Sequence, residues 1–437
     1  MPGKPYITIF WFRRDLRLND NCALFHALEN NDNVLPLFII DTDMPDNAPN
    51  IYGMRTSFIY REITGLKNEL EQFGSSLLIK QGKIMEVFKE LNAGFYIRNI
   101  YCNHDYEPDA KERDNTIRKT FQKRQIPFFS FKDQVIFEKD DILKPNGKPY
   151  TVFTYFMHQW KKFITTNPLS EYKISEYRHR FYQTPPLPVP ELKELQSPLA
   201  DISYPPKEIN INILENYDKT RDFPAVKGTS KLGVHLRFGT ISIRQLVKTA
   251  KETNEIFLNE LIWREFFMMI LYHFPEVVNA PFKSKYTFLE WRNNEQEFNA
   301  WCRGETGYPM VDAGMKELNE TGYMHNRVRM ITAGFLCKHL LIDWRWGEQY
   351  FAEKLLDYEL SSNNGNWQWA AGTGCDAVPY FRIFNPETQQ KKYDPQLAYI
   401  KRWIPDYNPE KYLPPVVEHQ FARERAINTY KKSLGNY

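Results

Sequence analysis

Ile7-Thr8-Ile9-Phe10-Trp11-Phe12-Arg13-Arg14-Asp15-Leu16-Arg17-Leu18-Asn19-Asp20 begins with six β-branched or aromatic residues and passes into a charged loop. A short apolar run ended by charge has the character of a sheet strand. Working outward, Val34–Ile40, Ser76–Lys80, Phe95–Cys102 and Pro127–Phe131 read the same way. Helical stretches lie between them, among them Arg55–Phe73 and Ile84–Leu91. This βαβ rhythm predicts an α/β domain over residues 1–131, a Rossmann-like, doubly wound parallel sheet with helices on both faces. The loop after the first strand contains no GxGxxG, so the usual dinucleotide fingerprint is absent.

Beyond residue 131 the rhythm stops. Residues 132–210 include Pro185-Pro186-Leu187-Pro188-Val189-Pro190 and Pro205-Pro206, which predict a long extended linker with polyproline character. From 211 to 437 longer helical periodicity takes over, and an all-helical C-terminal domain is expected. A chain of 437 residues is too long for one core, consistent with two domains or three. No internal repeat is evident.

Composition narrows the function classes. With 42% hydrophobic and 25% charged residues the chain is globular, and it has no apolar run long enough to span a membrane. The N-terminus moves directly into a strand pattern without a signal-peptide segment. Cys22, Cys102, Cys302, Cys337 and Cys375 are dispersed without a CxxC pair, which suggests reduced thiols, a cytoplasmic setting and no zinc framework. A net charge of +3 neither demands nor excludes nucleic acid. The aromatic share of 15%, with 10 Trp and 26 Tyr, exceeds ordinary packing needs.

The chemistry concentrates in the last domain. Asn363-Asn364-Gly365-Asn366-Trp367-Gln368-Trp369-Ala370-Ala371-Gly372-Thr373-Gly374 sets two indoles two residues apart among amides and glycines, with Arg382 beyond. Residues i and i+2 point in different directions on a helix, so the indoles serve different neighbours. Glycines and amides let the backbone approach a ligand closely, and the stretch reads as the wall of a site for something flat and aromatic. Gly228-Thr229-Ser230-Lys231-Leu232-Gly233 suits a phosphate or pyrophosphate, or else a plain helix cap. Glu260, Trp263 and Arg264 share one helical face, which suits a stacking pocket wall; a surface Glu260–Arg264 pair is the plainer alternative. Asn326 and Met330 share another face beside Arg327, while His325 lacks partners at metal-ligand spacing and reads as structural. Asp357 and Glu359 bring two carboxylates towards Asn363, suited either to hydrogen bonding a cofactor or to helix capping.

These segments together resemble the photolyase/cryptochrome family. Trp11-Phe12-Arg13-Arg14-Asp15-Leu16-Arg17-Leu18-Asn19-Asp20, Tyr150-Thr151-Val152-Phe153-Thr154-Tyr155-Phe156, Gly228-Thr229-Ser230-Lys231-Leu232, Trp301 with Thr306-Gly307-Tyr308-Pro309, and the Asn-Trp-Gln-Trp-Ala-Ala core carry the resemblance. It runs from residue 6 to about residue 410 and is nearest in kind to the class I cyclobutane pyrimidine dimer photolyases of microbes.

The resemblance implies FAD in the helical domain. Tyr217, Arg221, Thr229, Ser230, Lys231 and Leu232 would hold its phosphates and sugar chain. Arg329 and Asp357 would meet the flavin ring region, with Asn363 facing N5. Glu359 stands where the family usually has Asp, which displaces its carboxylate by a methylene. Trp367, Trp344 and Trp301 match the chain that photoreduces the flavin from the surface. Trp263 and Trp369 would pack on a flipped dimer, Glu260 and Asn326 would bind base edges, and Met330 would line the pocket. Arg264, Arg327 and Arg382 would hold phosphates without reading sequence. UV-damaged DNA is the implied partner, a monomer the implied state, and no metal is implied.

Rival activities are weighed on residues. A (6-4) photolyase is expected to carry histidines at Asn326 and Met330. A cryptochrome photoreceptor usually differs at Asn363 and often carries a long tail, and the DASH branch usually departs at Trp369. For a second, antenna chromophore, Arg55, Asp105 and Glu107 occupy contact positions. Val277-Val278 in place of a Cys-Lys pair, and Asn50 in place of His, weaken folate and leave a deazaflavin, a flavin or no antenna.

Overall fold

The computed structural model describes residues 3–42, 53–190 and 203–435. In chain order the elements are β1 (Tyr6–Phe12), α1 (Cys22–Asn30), β2 (Val34–Asp41), α2 (Met54–Glu71), β3 (Leu78–Gly82), α3 (Ile84–Gly94), β4 (Tyr96–Asn103), α4 (Pro108–Gln122), β5 (Phe128–Phe131) and α5 (Phe153–Thr166). They continue as α6 (Ile211–Glu215), α7 (Tyr217–Thr220), α8 (Gly233–Phe238), α9 (Ile243–Thr253), α10 (Glu255–His273), α11 (Glu295–Arg303), α12 (Pro309–Thr321) and α13 (Asn326–Gly334). A π-helical turn (Phe335–His339) precedes α14 (Trp344–Lys354), α15 (Leu360–Ala371), α16 (Pro386–Tyr393), α17 (Ala398–Trp403) and α18 (His419–Ser433).

The strands pair in parallel in the order β3-β2-β1-β4-β5, the doubly wound sheet expected from the rhythm. β1 is central, and six of its seven residues are buried, because helices cover both sides of a parallel sheet. Asn21 caps α1 by accepting from the Leu24 amide at 3.2 Å, so the charged loop after β1 ends in a helix N-terminus.

The chain divides into two compact units. One comprises residues 1–141, 161–208 and 232–249, and the other 142–160, 209–231 and 250–437. These limits do not coincide with breaks at 131 and 210. In the first unit a buried ion cluster explains why residues 232–249 belong there. Asp133 accepts from Arg17 at 2.7 Å and from Arg244 at 2.8 Å, and Arg244 also reaches Asp20 at 3.0 Å. Burial works against the Asp133 charge, but Arg17 and Arg244 hold its carboxyl below the usual range.

The stretch expected to be an extended linker contains α5. Phe153, Phe156, Trp160 and Ile164 recur at helical spacing and are all buried, a periodicity masked by the polar residues between them. Trp160 Nε1 donates to the buried Glu265 of α10 at 2.6 Å, which satisfies two polar groups in an apolar setting. Past α5 the chain returns to the sheet, where the Tyr182 amide donates to Val34 O at 2.9 Å. In the second unit no strand follows α5 among the described residues, and a large apolar cluster joins α11 to α15 around Trp301, Trp344 and Trp367.

Candidate active site

Three helices of the second unit, α13, α14 and α15, together with the segment 355–359, line a cavity that includes Arg329, Met330, Phe351, Asp357, Asn363, Trp367 and Trp369. Side-chain caps set α10 and α13. α10 begins at Asn254, whose side chain accepts from Ile256 and Phe257 amides. α13 begins at His325, whose Nδ1 accepts from the Arg327 amide at 3.2 Å. Burial, together with Arg329 and Arg327, pushes the His325 ring down to about 4, so it is neutral and able to accept. The histidine serves as a cap.

On α13, Arg329 aims inward. It donates to Met324 O at 2.7 Å and to both Asp357 oxygens at 3.1 and 2.9 Å. Asn326 and Met330 sit together one turn apart, with Nδ2 3.9 Å from Sδ, and both line the cavity. Arg327 lies over the Tyr393 ring and pairs with Asp222 at 2.7 Å. The guanidinium expected on a DNA phosphate therefore already holds a carboxylate.

On α10, Glu260 pairs with Arg221 at 2.5 Å, and Arg264 pairs with Glu359 at 3.1 Å. Glu359 sits at the start of α15 without capping it; its carboxylate takes Arg264 and, at 3.4 Å, the Ser362 hydroxyl. Trp263 is not a bare stacking surface. Phe153 lies parallel to its indole, 3.6 Å between centroids and 6° between planes. Neither Phe153 nor its stack carried a signal in the sequence beyond membership of the 150–156 motif.

α15 explains its own composition. Asn363 Nδ2 donates to Glu348 O at 3.0 Å and to Glu348 Oε1 at 2.8 Å. Burial pushes the Glu348 carboxyl up, which favours its neutral form beside the amide. Gln368 and Asn364 both donate to Val277 O, at 2.9 and 3.0 Å, and thereby hold the turn that carries Val277-Val278. The glycines act differently from expectation. A Cβ on Gly365 would meet the Phe267 ring at 2.2 Å, so this residue permits close packing of α15 on α10. Gly372, at φ +84°, ends the helix. Helix packing and capping, rather than ligand approach, account for both.

The two indoles do part company. Trp367 is buried against Phe351 and Trp301, with centroids 5.0 and 6.1 Å away, in space that Gly347 leaves open. Trp369 is half-buried and lines the cavity. Trp301 is 0% exposed and Trp344 1%, so neither opens the aromatic cluster to solvent. Trp291 and Trp346, which the sequence reading passed over, are half-buried against the same cluster.

The remaining residues lie outside this core. Arg221 lies over the Tyr217 ring at 5.2 Å, and Lys231 over Tyr323 at 4.6 Å. Thr229 Oγ1 is 3.3 Å from the Tyr323 hydroxyl, and Ser230 is half-buried beside it. Leu232 is buried and belongs to the first unit. Arg382 is exposed. In the first unit, Arg14 binds Glu107 at 2.9 Å and Asp105 at 3.2 Å, and Arg55 is buried. Asn50 lies outside the described residues. No group of three or more His, Cys, Asp or Glu side chains suited to a metal occurs among the described residues.

The donors and acceptors at the cavity fit an isoalloxazine with its sugar-phosphate arm. A guanidinium fixed by Asp357 and an amide fixed by Glu348 offer hydrogen bonds to a flavin, and Lys231, outside the cavity lining beside Thr229 and Ser230, offers a cation to a pyrophosphate. Comparisons with known proteins identify the family. Residues 8–175 match the family described as DNA photolyase, and residues 257–409 the FAD binding domain of DNA photolyase. A deoxyribodipyrimidine photo-lyase of Alkalihalophilus pseudofirmus is 34% identical, over 99% of each chain. A bacterial class III photolyase from Agrobacterium tumefaciens superposes with a TM-score of 0.86 at 30% identity, over 99% of this chain and 98% of that one. An archaeal photolyase from Sulfolobus tokodaii, solved with two FAD molecules, gives 0.79 at 33% identity, over 98% and 100%. Matched by both family models and by relatives 30% or more identical over nearly its whole length, the chain belongs to the DNA photolyase family.

Proposed function

We propose that the protein is a light-dependent repair enzyme that splits cyclobutane pyrimidine dimers in DNA, of the class I type, acting as a monomer without sequence preference. The observation that carries this reading is the cavity itself. Arg329–Asp357 and Asn363–Glu348 form its cofactor side, and Trp369, Asn326 and Met330 line it as well. The chemistry FAD supplies when bound is light-driven donation of one electron and its recovery. An electron placed on the dimer breaks the two cyclobutane carbon–carbon bonds, and its return leaves no net oxidation or reduction.

The side chains then have separable tasks. Trp369 offers an indole face to one pyrimidine, and Trp263, backed by Phe153, presents its remaining edge to the other. Asn326 and the Glu260 oxygen not engaged by Arg221 accept or donate at base edges. Met330 excludes water. A dimer stacks poorly in the duplex, which lowers the cost of flipping it into such a pocket. Arg382 is best placed for a flanking phosphate, since Arg264 and Arg327 are already paired with carboxylates. Electrons reach Trp367 through the buried aromatic cluster, and we place its outer end at Trp291, because Trp301 is sealed from solvent.

Asn326 and Met330 in place of histidines favour a cyclobutane dimer over a (6-4) product. A purely signalling role leaves Trp369 and Asn326 without a ligand. In the first unit, Asp105 and Glu107 are engaged by Arg14, and the Sulfolobus protein with two FAD molecules makes a second flavin the antenna to test first. The discriminating variant is Trp369→Ala. It is expected to keep FAD and lose about 1–3 kcal/mol of affinity for dimer-containing DNA, the usual worth of one base–aromatic stack. Wild-type affinity in that variant, measured by fluorescence anisotropy, refutes the pocket.

A further inference from the structure

We infer that Tyr430, on the C-terminal helix α18, is a positioning residue that sets the lesion-facing surface from behind. The inference rests on the repair reading above. Tyr430 is fully buried, and its hydroxyl donates to Ala371 O at 2.6 Å. Lys338 Nζ, from the π-helical turn, donates to the same carbonyl at 2.7 Å and lies 3.8 Å from the Tyr430 ring centroid. Ala371 ends α15, where the last carbonyls have no donors within the helix. Two side chains converging on one such carbonyl fix the end of the helix two residues past Trp369.

The same ring holds a second piece of the surface. Tyr380 lies flat on it, 5.6 Å between centroids and 4° between planes, and the exposed Phe381 and Arg382 follow directly in the chain. Tyr430 therefore ties two separate contact elements together, the Trp369 helix by its hydroxyl and the Arg382 loop by its ring. α18 is itself anchored at its other end. His419 hydrogen-bonds His339 at 2.8 Å, and Arg425 donates to His339 O at 2.5 Å. The helix bears no group lining the cavity, and this double attachment gives it a task in lesion binding.

The two arms are separable by substitution. Tyr430→Phe removes the hydroxyl and keeps the stack, whereas Tyr430→Leu removes both. Binding in the dark to a dimer-containing oligonucleotide and to its undamaged twin is measured with chemically reduced, FAD-loaded protein. Tyr430→Phe is expected to raise the Kd for the dimer oligonucleotide about fivefold, as loss of one ordinary hydrogen bond does. Its Kd for the twin, its FAD content and its repair yield per bound dimer stay at wild-type values. Tyr430→Leu is expected to weaken both oligonucleotides. Wild-type binding by both variants, or losses that merely follow FAD content, overturn the inference. A wild-type protein that does not prefer the dimer oligonucleotide instead contradicts the repair reading.

Discussion

Glu359 shows how one added methylene can place a buried ion pair. The extra methylene relative to Asp lets its carboxylate meet Arg264 at 3.1 Å, with the two side chains only 6% and 11% exposed. Removing one partner of such a pair leaves the other charged and poorly solvated, which costs about 3 kcal/mol. Glu359→Gln is therefore expected to lower stability by about that amount in urea unfolding. The double replacement Arg264→Met with Glu359→Met should recover most of it. A double variant that loses as much as the two single replacements summed would show that the pair is not coupled. Gly347 makes a sharper point about packing. A Cβ there would sit 2.1 Å from the Trp367 ring, so Gly347→Ala should cost about 1–3 kcal/mol and slow photoreduction by shifting the indole. Transient absorption after a laser pulse reads that rate, and an unchanged rate contradicts the contact. Neither Glu348 behind Asn363 nor Gly347 under Trp367 was legible in the sequence, because both act through space from a different helix.

Elements were legible wherever their period was clean. All five strands stand within two residues of their expected ends, since Val, Ile and Phe runs alternate with helical spacing and nothing competes. α5 escaped because its apolar positions are interleaved with Thr, Gln and Lys, and the proline-rich stretch beyond drew the whole region into a linker. At this scale α18 carries a pH prediction. His339 is buried against Phe335 and Tyr308, and His419 faces it with Glu387, Arg423 and Arg425 nearby. Burial, with His419 and Arg425 beside it, pushes the His339 ring down to about 3. Its pKa in the unfolded chain is about 6.5, so its contribution is full above that pH and is lost as pH falls towards 3. Between pH 7.5 and 5 this amounts to about 2 kcal/mol. Thermal melts should show that His339→Phe loses correspondingly less stability than wild type over this range. An equal loss would mean that other groups govern the acid limb.

For the molecule as a whole, the net charge of +3 gives no broad attraction to DNA, so binding relies on a few placed cations. Arg382→Ala should weaken damaged and undamaged DNA alike and reduce the slope of log K against log salt by about 0.9. Unchanged slope would remove Arg382 from the phosphate contacts. Whether the cavity of the helical unit repairs pyrimidine dimers with light is tested most directly by illumination. Purified protein with FAD bound and reduced is mixed with DNA carrying cyclobutane dimers and exposed to blue light, and dimers are counted against a dark control. Dimers are expected to be lost in the light alone, with restoration of intact pyrimidines. Undiminished dimers under light, with the flavin bound and reduced, would contradict the repair reading.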